Sequence, residues 1–303
     1  LDDPLEKYLP ELSNLRVATS AYDDGTWETE PADHPLTVRE LMSHTGGFTY
    51  FPPIGNGPIA QAYLRAGIAG DATLAESIPR LRDIPLDYQP GKKWVYSISV
   101  DIQGYLIEKL SGQTLDTFFQ QRIFDPLEME DTAFYVPAEK AHRFSGMYMP
   151  INGSLLRTDK LSDFLGGTFL EKPAFLAGGH GLTSTASDYM KFAQMHLNKG
   201  TLNGIRILSE DAIDLMRGNH LPEEVKEIGQ PYPGNVFGLD FAVVENSEIF
   251  QKAPVGTHWW WGIAGSWFWI DPVTETVFIG MIQNNDIQLS LQIHRAARSA
   301  IYE

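Results

Sequence analysis

Two histidines close to glycine clusters have the residue type and spacing that could do chemistry. His44 precedes a glycine pair in "SHTGGF", where an imidazole could act as a general base or could hydrogen-bond across a loop and shape a cleft. His180 lies in "GGHG", where the glycines would let backbone approach a substrate closely or would form a tight turn. No motif places the serine and aspartate partners that a histidine base needs.

The common catalytic and metal-binding signatures are absent from the sequence. It has no Gly-x-Ser-x-Gly, no phosphate-binding Gly-Lys-Ser/Thr loop, no His-Glu-x-x-His and no EF-hand loop. The eight histidines are scattered and none pairs with another at metal-ligand spacing, so no metal site is predicted. No serine stands three residues before a lysine; the nearest approach is Ser187 followed by Lys191.

Helix caps are the clearest signal of the elements that must position such residues. Thr37 and Glu40 form a capping box in front of a helix that Gly46 and Gly47 would end. Caps and apolar periodicity predict further helices over residues 101–112, 185–200, 209–216 and 289–301.

Strand signals are concentrated in the last third of the chain. Three strands are predicted over residues 236–246, 258–270 and 276–284, the last two joined by the turn-rich residues 271–275 as a hairpin. The first two thirds are mostly helices and long loops. This order of elements predicts an α+β or layered α/β fold, an antiparallel sheet flanked by helices with a mainly helical second domain.

Composition narrows the classes of function. The 303 residues are enough for one large domain or two interwoven ones. With 39 acidic against 23 basic side chains and a net charge of -16, binding to nucleic acid or an anionic membrane is not expected. The absence of cysteine excludes disulfides and thiolate chemistry but leaves the compartment open. The most apolar run, residues 259–270, is too short to span a membrane.

Six segments in a consistent order resemble blocks of the class C β-lactamase-like serine hydrolases, most closely their esterase branch, the family VIII carboxylesterases. They are "LDDPLEKYLPEL" (1–12), "LTVRELMSHTGGF" (36–48), "PGKKWVYSISVDIQGYLIEKLSG" (90–112), "RIFDPLEMEDTAF" (122–134), "GGHGLTSTASDYMKFAQMHLNKGTLNGIRIL" (178–208) and "WWGIAGSWFWIDP" (260–272). The resemblance implies a β-lactamase-like fold. It also implies a discontinuous α/β sheet domain of residues 1–30 and 170–303 and a mainly helical domain of residues 31–169.

The resemblance implies a mechanism in which a serine nucleophile, a lysine one helical turn later and a tyrosine act together. Tyr96, in "YSIS", matches the family's catalytic tyrosine. A phenol with its ordinary pKa near ~10 is a poor base. Beside a lysine ammonium it could take the serine proton and return it to the leaving alkoxide. The alternative is an ordinary half-buried tyrosine that hydrogen-bonds the backbone.

Two polar residues follow this tyrosine. Ile98 stands where the lactamases carry asparagine, and the sequence instead has the Tyr-Ser-x-Ser-x-Asp pattern of related esterases and acyltransferases. Ser99 and Asp101 are therefore candidates for hydrogen-bond partners of the site. Both residue types also cap helix N-termini well, and the two interpretations stay open.

The segment around Trp261, Gly262 and Ile263 resembles the position of the family's Lys-Thr-Gly or Trp-Gly-Gly triplet, which implies the Ala264 N–H as an oxyanion donor. Ile263 departs from the esterase triplet. No Lys or Arg lies between His258 and Asp271, so a carboxylate-bearing substrate would have only a protonated His258 as a partner in this segment. The tryptophans here either pack in the core or line an acyl pocket.

The resemblance implies ester hydrolysis of a small-molecule substrate through an acyl-enzyme, with no metal or organic cofactor. Because no Ser-x-x-Lys occurs, we expect the nucleophile and its lysine on a segment upstream of Leu1. The alternatives within the fold are acyl transfer and weak β-lactam hydrolysis. From a different class, the alternative is a non-catalytic ligand-binding relative that lacks the nucleophile.

Overall fold

The computed structural model describes residues 1–157, 168–284 and 286–303. The chain divides into two compact units. The first unit comprises Leu1–Phe118, Ala174–Gly179 and His220–Ile228; the second comprises Phe119–Pro173, His180–Asn219 and Gly229–Glu303. These boundaries differ from the domains expected above, and that division stays a prediction.

The first unit combines a small hairpin with helices. Its strands are β1 (Arg16–Ala21) and β2 (Trp27–Pro31), which pair antiparallel. Its helices are α1 (Val38–Met42), α2 (Pro58–Arg65), α3 (Leu74–Ser77) and α4 (Ser99–Ser111), with 3-10 turns at Leu5–Lys7, Pro10–Leu12 and Ile78–Asp83. Helices α1 and α3 pack against α4, whose Ile102 and Leu106 are buried.

The predicted capping box at the start of α1 is confirmed. The Thr37 side chain accepts from the Glu40 N–H while the Glu40 carboxylate accepts from the Thr37 N–H. The helix ends at Met42, earlier than the glycine pair suggested, because His44 adopts the left-handed region with a φ of 57°. The chain therefore turns out of the helix two residues before Gly46.

The second unit contains the main sheet. Helix α5 (Leu115–Phe119) runs into a π-helical turn (Gln120–Phe124) at the start of this unit. Later helices are α6 (Ala186–Leu197), α7 (Glu210–Met216) and α8 (Ile287–Tyr302). The strands are β3 (Tyr148–Ile151), β4 (Ser154–Arg157), β5 (Thr201–Leu202), β6 (Ile205–Arg206), β7 (Asn235–Phe237), β8 (Ala242–Val244), β9 (His258–Trp261), β10 (Trp267–Asp271) and β11 (Thr276–Gly280).

Strands β7 to β11 form an antiparallel meander in the order β11-β10-β9-β8-β7. The meander and the hairpin through residues 271–275 agree with the prediction, but two of the three predicted strands are each two strands. The stretch 236–246 is broken by a turn in which the Gly238 N–H donates to the Phe241 carbonyl. The stretch 258–270 is broken by residues 262–266, which we call the β9–β10 turn.

Both faces of this sheet are covered by helices. Trp259 pairs with Trp269, and Trp261 pairs with Trp267, so these four side chains share one face. Helix α8 lies against it, with the His294 ring 4.3 Å from that of Trp267. On the opposite face α6 packs on β10 and β11, with Ala193, Phe241, Phe268 and Ile270 in one buried cluster. The second unit is thus a three-layer arrangement of helix, sheet and helix.

Candidate active site

Tyr96 lies in the loop that leads into α4 and is partly buried. Its ring stacks on that of Tyr50, with centroids 5.6 Å apart and planes 11° from parallel. The His44 ring packs beside it at a centroid distance of 5.0 Å. Two aromatic neighbours therefore fix the orientation of the phenol, as a group that moves a proton would require.

The His44 imidazole is part of a buried hydrogen-bond chain. Its Nδ1 accepts from the Ser97 N–H at 3.1 Å and lies 3.0 Å from the Ser97 hydroxyl, which lies 2.8 Å from the Ser99 hydroxyl. Because a backbone N–H can only donate, Nδ1 is an acceptor and the ring proton is on Nε2. Burial lowers the pKa of His44 to about 3, so the ring is neutral at physiological pH. This geometry agrees with the loop-shaping interpretation of His44.

Asp101 and Ser99 are both buried at the start of α4. The N-cap residue of the helix is Ile98, whose side chain makes no capping hydrogen bond. Asp101 accepts from the Gly179 N–H at 3.0 Å through Oδ1. Asp101 thus ties the segment 174–179 to the helix that follows Tyr96.

Tyr50 is a member of this cluster that the sequence did not single out. Its side chain is buried, and a Cβ added to Gly179 would lie 3.2 Å from the Tyr50 hydroxyl and 3.6 Å from both Asp101 oxygens. Burial, and then the charges of Asp101 and Tyr96, raise the pKa of Tyr50 well above its ordinary value. The Tyr50 hydroxyl therefore stays protonated. No motif marks it, since an aromatic residue after "HTGGFT" is typical of a core position.

The first glycine of "GGHG" lets the backbone of its segment pack closely against the backbone of α4. A Cβ on Gly178 would lie 2.0 Å from the Val100 carbonyl oxygen, so only glycine fits against the first turn of α4. Part of the glycine cluster therefore contacts protein. His180 follows in a loop outside the helices and strands and is partly buried.

In the second unit, the predicted oxyanion segment is a turn. The Gly262 N–H donates to the Ser266 carbonyl at 2.8 Å, and the Gly265 N–H donates to the Gly262 carbonyl at 2.8 Å. Within the described part of the chain, the N–H groups of Ile263 and Ala264 donate to no hydrogen bond. Both residues are partly exposed. The turn therefore presents two consecutive backbone donors.

Strand β9 leads into this turn. Its first two residues pair with a strand on each side, whereas its last two, within the described part of the chain, pair with a strand on one side only. Strand β8 pairs with His258 and Trp259 only, among the residues that the structure describes, whereas β10 pairs with all four residues. The open side of β9 begins at Trp260, because the pairing with β8 ends at Trp259.

Trp261 is held by a neighbouring tyrosine. Its indole Nε1 donates to the Tyr232 hydroxyl at 2.7 Å, and the Tyr232 ring also packs on Trp259 and Trp260. Trp259, Trp267 and Trp269 are buried in the core, whereas Trp260 and Trp261 stay partly exposed. Three of the five tryptophans therefore pack in the core, and the other two are partly exposed near the turn.

His258 is 2% exposed and lies against other rings, with centroids 6.0 Å from His196 and 5.5 Å from Phe241. Burial lowers its pKa to about 4. A neutral, buried imidazole does not supply the positive charge that a substrate carboxylate would need.

The described residues offer neither a metal site nor a membrane-spanning helix. No group of three or more His, Asp or Glu side chains there is arranged to hold a metal ion. No helix among them is long and apolar enough to cross a membrane.

Comparisons with known proteins cover nearly the whole chain. The beta-lactamase family model matches residues 1–300. An uncharacterized protein of Mycobacterium tuberculosis is 33% identical over 294 residues, which is 94% of this chain and 71% of that protein. The esterase EstB of Burkholderia gladioli is 28% identical over 292 residues, 88% of this chain and 67% of the esterase. Among solved structures, EstCE1, described as a hydrolase with promiscuous acyltransferase activity, aligns with a TM-score of 0.78 and 24% identity over 100% of this chain and 78% of its own.

Proposed function

The chain belongs to the beta-lactamase family and has a beta-lactamase-like fold, and from that premise we propose that it is a serine hydrolase that cleaves carboxylic esters through an acyl-enzyme. Relatives in this family include an esterase and a hydrolase that also transfers acyl groups. The observation that carries the proposal is the placement of Tyr96, stacked on Tyr50 and flanked by His44 in the loop before α4.

In the proposed reaction, a serine on a segment upstream of Leu1 attacks the ester carbonyl. Tyr96, with a lysine from the same segment, takes the serine proton and delivers it to the alkoxide as the carbon–oxygen bond breaks. Water then attacks the acyl-enzyme, gives its proton through Tyr96 back to the serine, and the acid leaves. The absence of Ser-x-x-Lys from the sequence supports placing the nucleophile outside these residues.

Ala264 is the proposed oxyanion donor in this scheme. Its N–H and that of Ile263 make no hydrogen bond within the described residues, which supports a role in receiving charge on a carbonyl oxygen. Gly262 would keep the approach to the turn free of side chain. Trp261, held by Tyr232, would form a wall next to it.

The other proposed site residues act through their neighbours. Asp101 would hold the loop 174–179 against α4, and Ser99 would complete the hydrogen-bond chain from His44. His180 would lie close to substrate because it follows that loop. Each of these roles is inferred from the geometry of its own unit and from the family resemblance.

The proposed substrate is an uncharged ester. No Lys or Arg lies between His258 and Asp271, and the burial of His258 keeps its pKa at about 4. Near the turn, a carboxylate on the substrate would therefore find no cation on these residues. This charge distribution favours a simple ester over a β-lactam or a peptide that ends in a carboxylate.

Acyl transfer to an alcohol is the second candidate, because EstCE1 is a hydrolase with promiscuous acyltransferase activity. The test is an assay of the protein expressed from its complete natural reading frame. A short p-nitrophenyl ester, the same ester with an added alcohol acceptor, and a chromogenic cephalosporin separate hydrolysis, transfer and lactam cleavage. A serine-directed phosphonate reports the nucleophile. No turnover of any substrate together with no labelling would favour the non-catalytic ligand-binding relative.

Replacing Tyr96 by Phe tests the proton-transfer role. The Tyr96→Phe variant keeps the ring that stacks on Tyr50 but loses the hydroxyl, so we expect kcat to fall about a hundredfold or more. The matched control is Tyr22→Phe, which removes a hydroxyl from an exposed tyrosine of the same unit. Equal kcat in the two variants would mean that another group moves the proton.

A further inference from the structure

The β9–β10 turn, residues 262–266, is hydrogen-bonded to the segment that follows β11 and to helix α8. The Ala264 carbonyl accepts from the Asn284 N–H at 2.8 Å. The Gly265 carbonyl lies 3.3 Å from His294 Nε2 on α8. These carbonyls belong to the two peptide groups that directly follow the Ala264 N–H. The direction of that N–H is therefore set from the C-terminal side of the turn.

The turn lies directly on its support. Gly265 has a φ of +98°, and a Cβ there would be 2.8 Å from Ile282 Cγ1 and 3.1 Å from the Ser290 hydroxyl. Only glycine fits this conformation and this spacing. Ser290 is itself buried and lies one helical turn before His294 on α8. One face of α8 thus contacts the turn through two side chains, Ser290 and His294, that lie one helical turn apart.

His294 contributes a polar side-chain contact to the turn. It is 1% exposed, and its ring lies 4.3 Å from that of Trp267 and 5.9 Å from that of Trp261, which are paired residues flanking the turn. A carbonyl oxygen can only accept, so Nε2 carries a proton and donates to Gly265. The two indoles and the hydrogen bond together leave the imidazole one orientation.

We propose that His294 is a positioning residue for the oxyanion donor: its hydrogen bond to Gly265 holds the β9–β10 turn so that the Ala264 N–H is aimed before charge develops. The inference rests on the proposed function, because it assigns to α8 the alignment of the donor used there. Preorganised donors matter most in the transition state, since charge on the carbonyl oxygen appears only then. Loss of alignment therefore lowers kcat and leaves ground-state binding of the ester nearly unchanged.

The test compares His294→Phe with His294→Gln. Phenylalanine keeps a ring between the tryptophans but has no donor, whereas the glutamine amide can place an N–H near the position of Nε2. We expect His294→Phe to lower kcat by about tenfold to a hundredfold with little change in KM, a partial loss of one oxyanion donor. His294→Gln should recover most of that loss. Gln292→Ala, on the exposed side of the same helix, is the matched control.

A second readout separates alignment from general destabilisation. A trifluoromethyl ketone that forms a tetrahedral adduct should lose affinity for His294→Phe by the same factor as kcat, while the melting temperatures show whether the variant is folded. A variant that melts early but keeps wild-type kcat and inhibitor affinity at low temperature would overturn the inference. Failure of the proposed function looks different, because the unmutated protein would then not hydrolyse esters.

Discussion

At the scale of single residues, the loop that carries Tyr96 depends on one unusual backbone conformation. His44 is in the left-handed region, and its buried Nδ1 accepts from the Ser97 N–H next to Tyr96. One residue thus ends α1 through its backbone conformation and holds the loop that enters α4 through its imidazole. The orientation of the candidate catalytic phenol follows from a residue 52 positions earlier in the sequence.

Replacing His44 should therefore show how much this contact contributes. His44→Ala leaves a buried N–H without an acceptor, about 1–3 kcal/mol, and puts alanine in the left-handed region, about another 1 kcal/mol. We expect a loss of about 2–4 kcal/mol in the free energy of unfolding, measured by urea titration. His44→Asn is the control, because asparagine tolerates this conformation and offers an acceptor oxygen. Equal losses in both variants would contradict this account.

The sequence predicts part of the candidate site and misses the rest for a physical reason. Tyr96, Ser99 and Asp101 lie within six residues, and a local pattern identifies them. Three further residues join their clusters only through tertiary contacts. Tyr50 stacks on Tyr96, Tyr232 accepts a hydrogen bond from the Trp261 indole, and His294 donates to the β9–β10 turn. Their residue types are those of ordinary core positions, so no sequence motif predicts that they belong to the site.

At the scale of elements, the starts of helices are easier to predict than the ends of strands. The caps at Thr37, Thr185 and Ser209 all accept the expected backbone N–H groups, because capping is a contact between residues three apart. The stretch 258–270 looks like one strand because its turn, "GIAGS", has no Asn, Asp or Pro and continues an apolar run. The sequence does not predict the hairpins β1–β2 and β3–β4 either, since its first two thirds have the pattern of helices and long loops.

The contact between α6 and β9 makes the second unit sensitive to acid. His196 and His258 are both 2% exposed, with ring centroids 6.0 Å apart, and burial lowers their pKa values to about 3 and about 4. In the unfolded chain these groups titrate near pH ~6.5. Between those values the unfolded state binds more protons, so stability is full above about pH 6.5 and falls as pH drops toward 4.

We expect the slope of unfolding free energy against pH in this window to include about 1.4 kcal/mol per pH unit for each of the two histidines. His196→Leu removes one titrating group from the apolar surroundings of Phe192 and Phe241 and should reduce the slope by about that amount. Urea titrations at several pH values between 7 and 5 measure it. His142→Leu, at an exposed histidine, is the control. An unchanged slope for His196→Leu would place the acid sensitivity elsewhere.

At the scale of the whole molecule, the excess of acidic residues opposes compactness. The net charge of -16 produces self-repulsion, while ion pairs such as Lys7–Asp3 and Lys252–Glu248 are largely exposed and contribute little. Raising the ionic strength to about 0.15 M shortens the screening length to about 8 Å. Screening should therefore weaken the repulsion more than it weakens the pairs.

We expect sodium chloride to raise the melting temperature from low salt to about 0.2 M, with the gain levelling off as the screening length falls below the spacing of surface charges. Scanning calorimetry at neutral pH measures it, and choline chloride at the same concentrations is the control for specific ion binding. A melting temperature that falls with either salt would mean that the exposed ion pairs outweigh the repulsion.

The crowded β9–β10 hairpin also gives the protein an optical property. Five of the protein's seven tryptophans, at positions 259, 260, 261, 267 and 269, lie in these two strands. Several are stacked or tilted against other rings within 6 Å, as Trp269 is on Phe278 at 4.1 Å. Intrinsic fluorescence of the folded chain is therefore mainly a report from the hairpin that carries the candidate oxyanion turn. Every tryptophan of the second unit lies in the two strands that flank the turn where we expect a substrate carbonyl to bind.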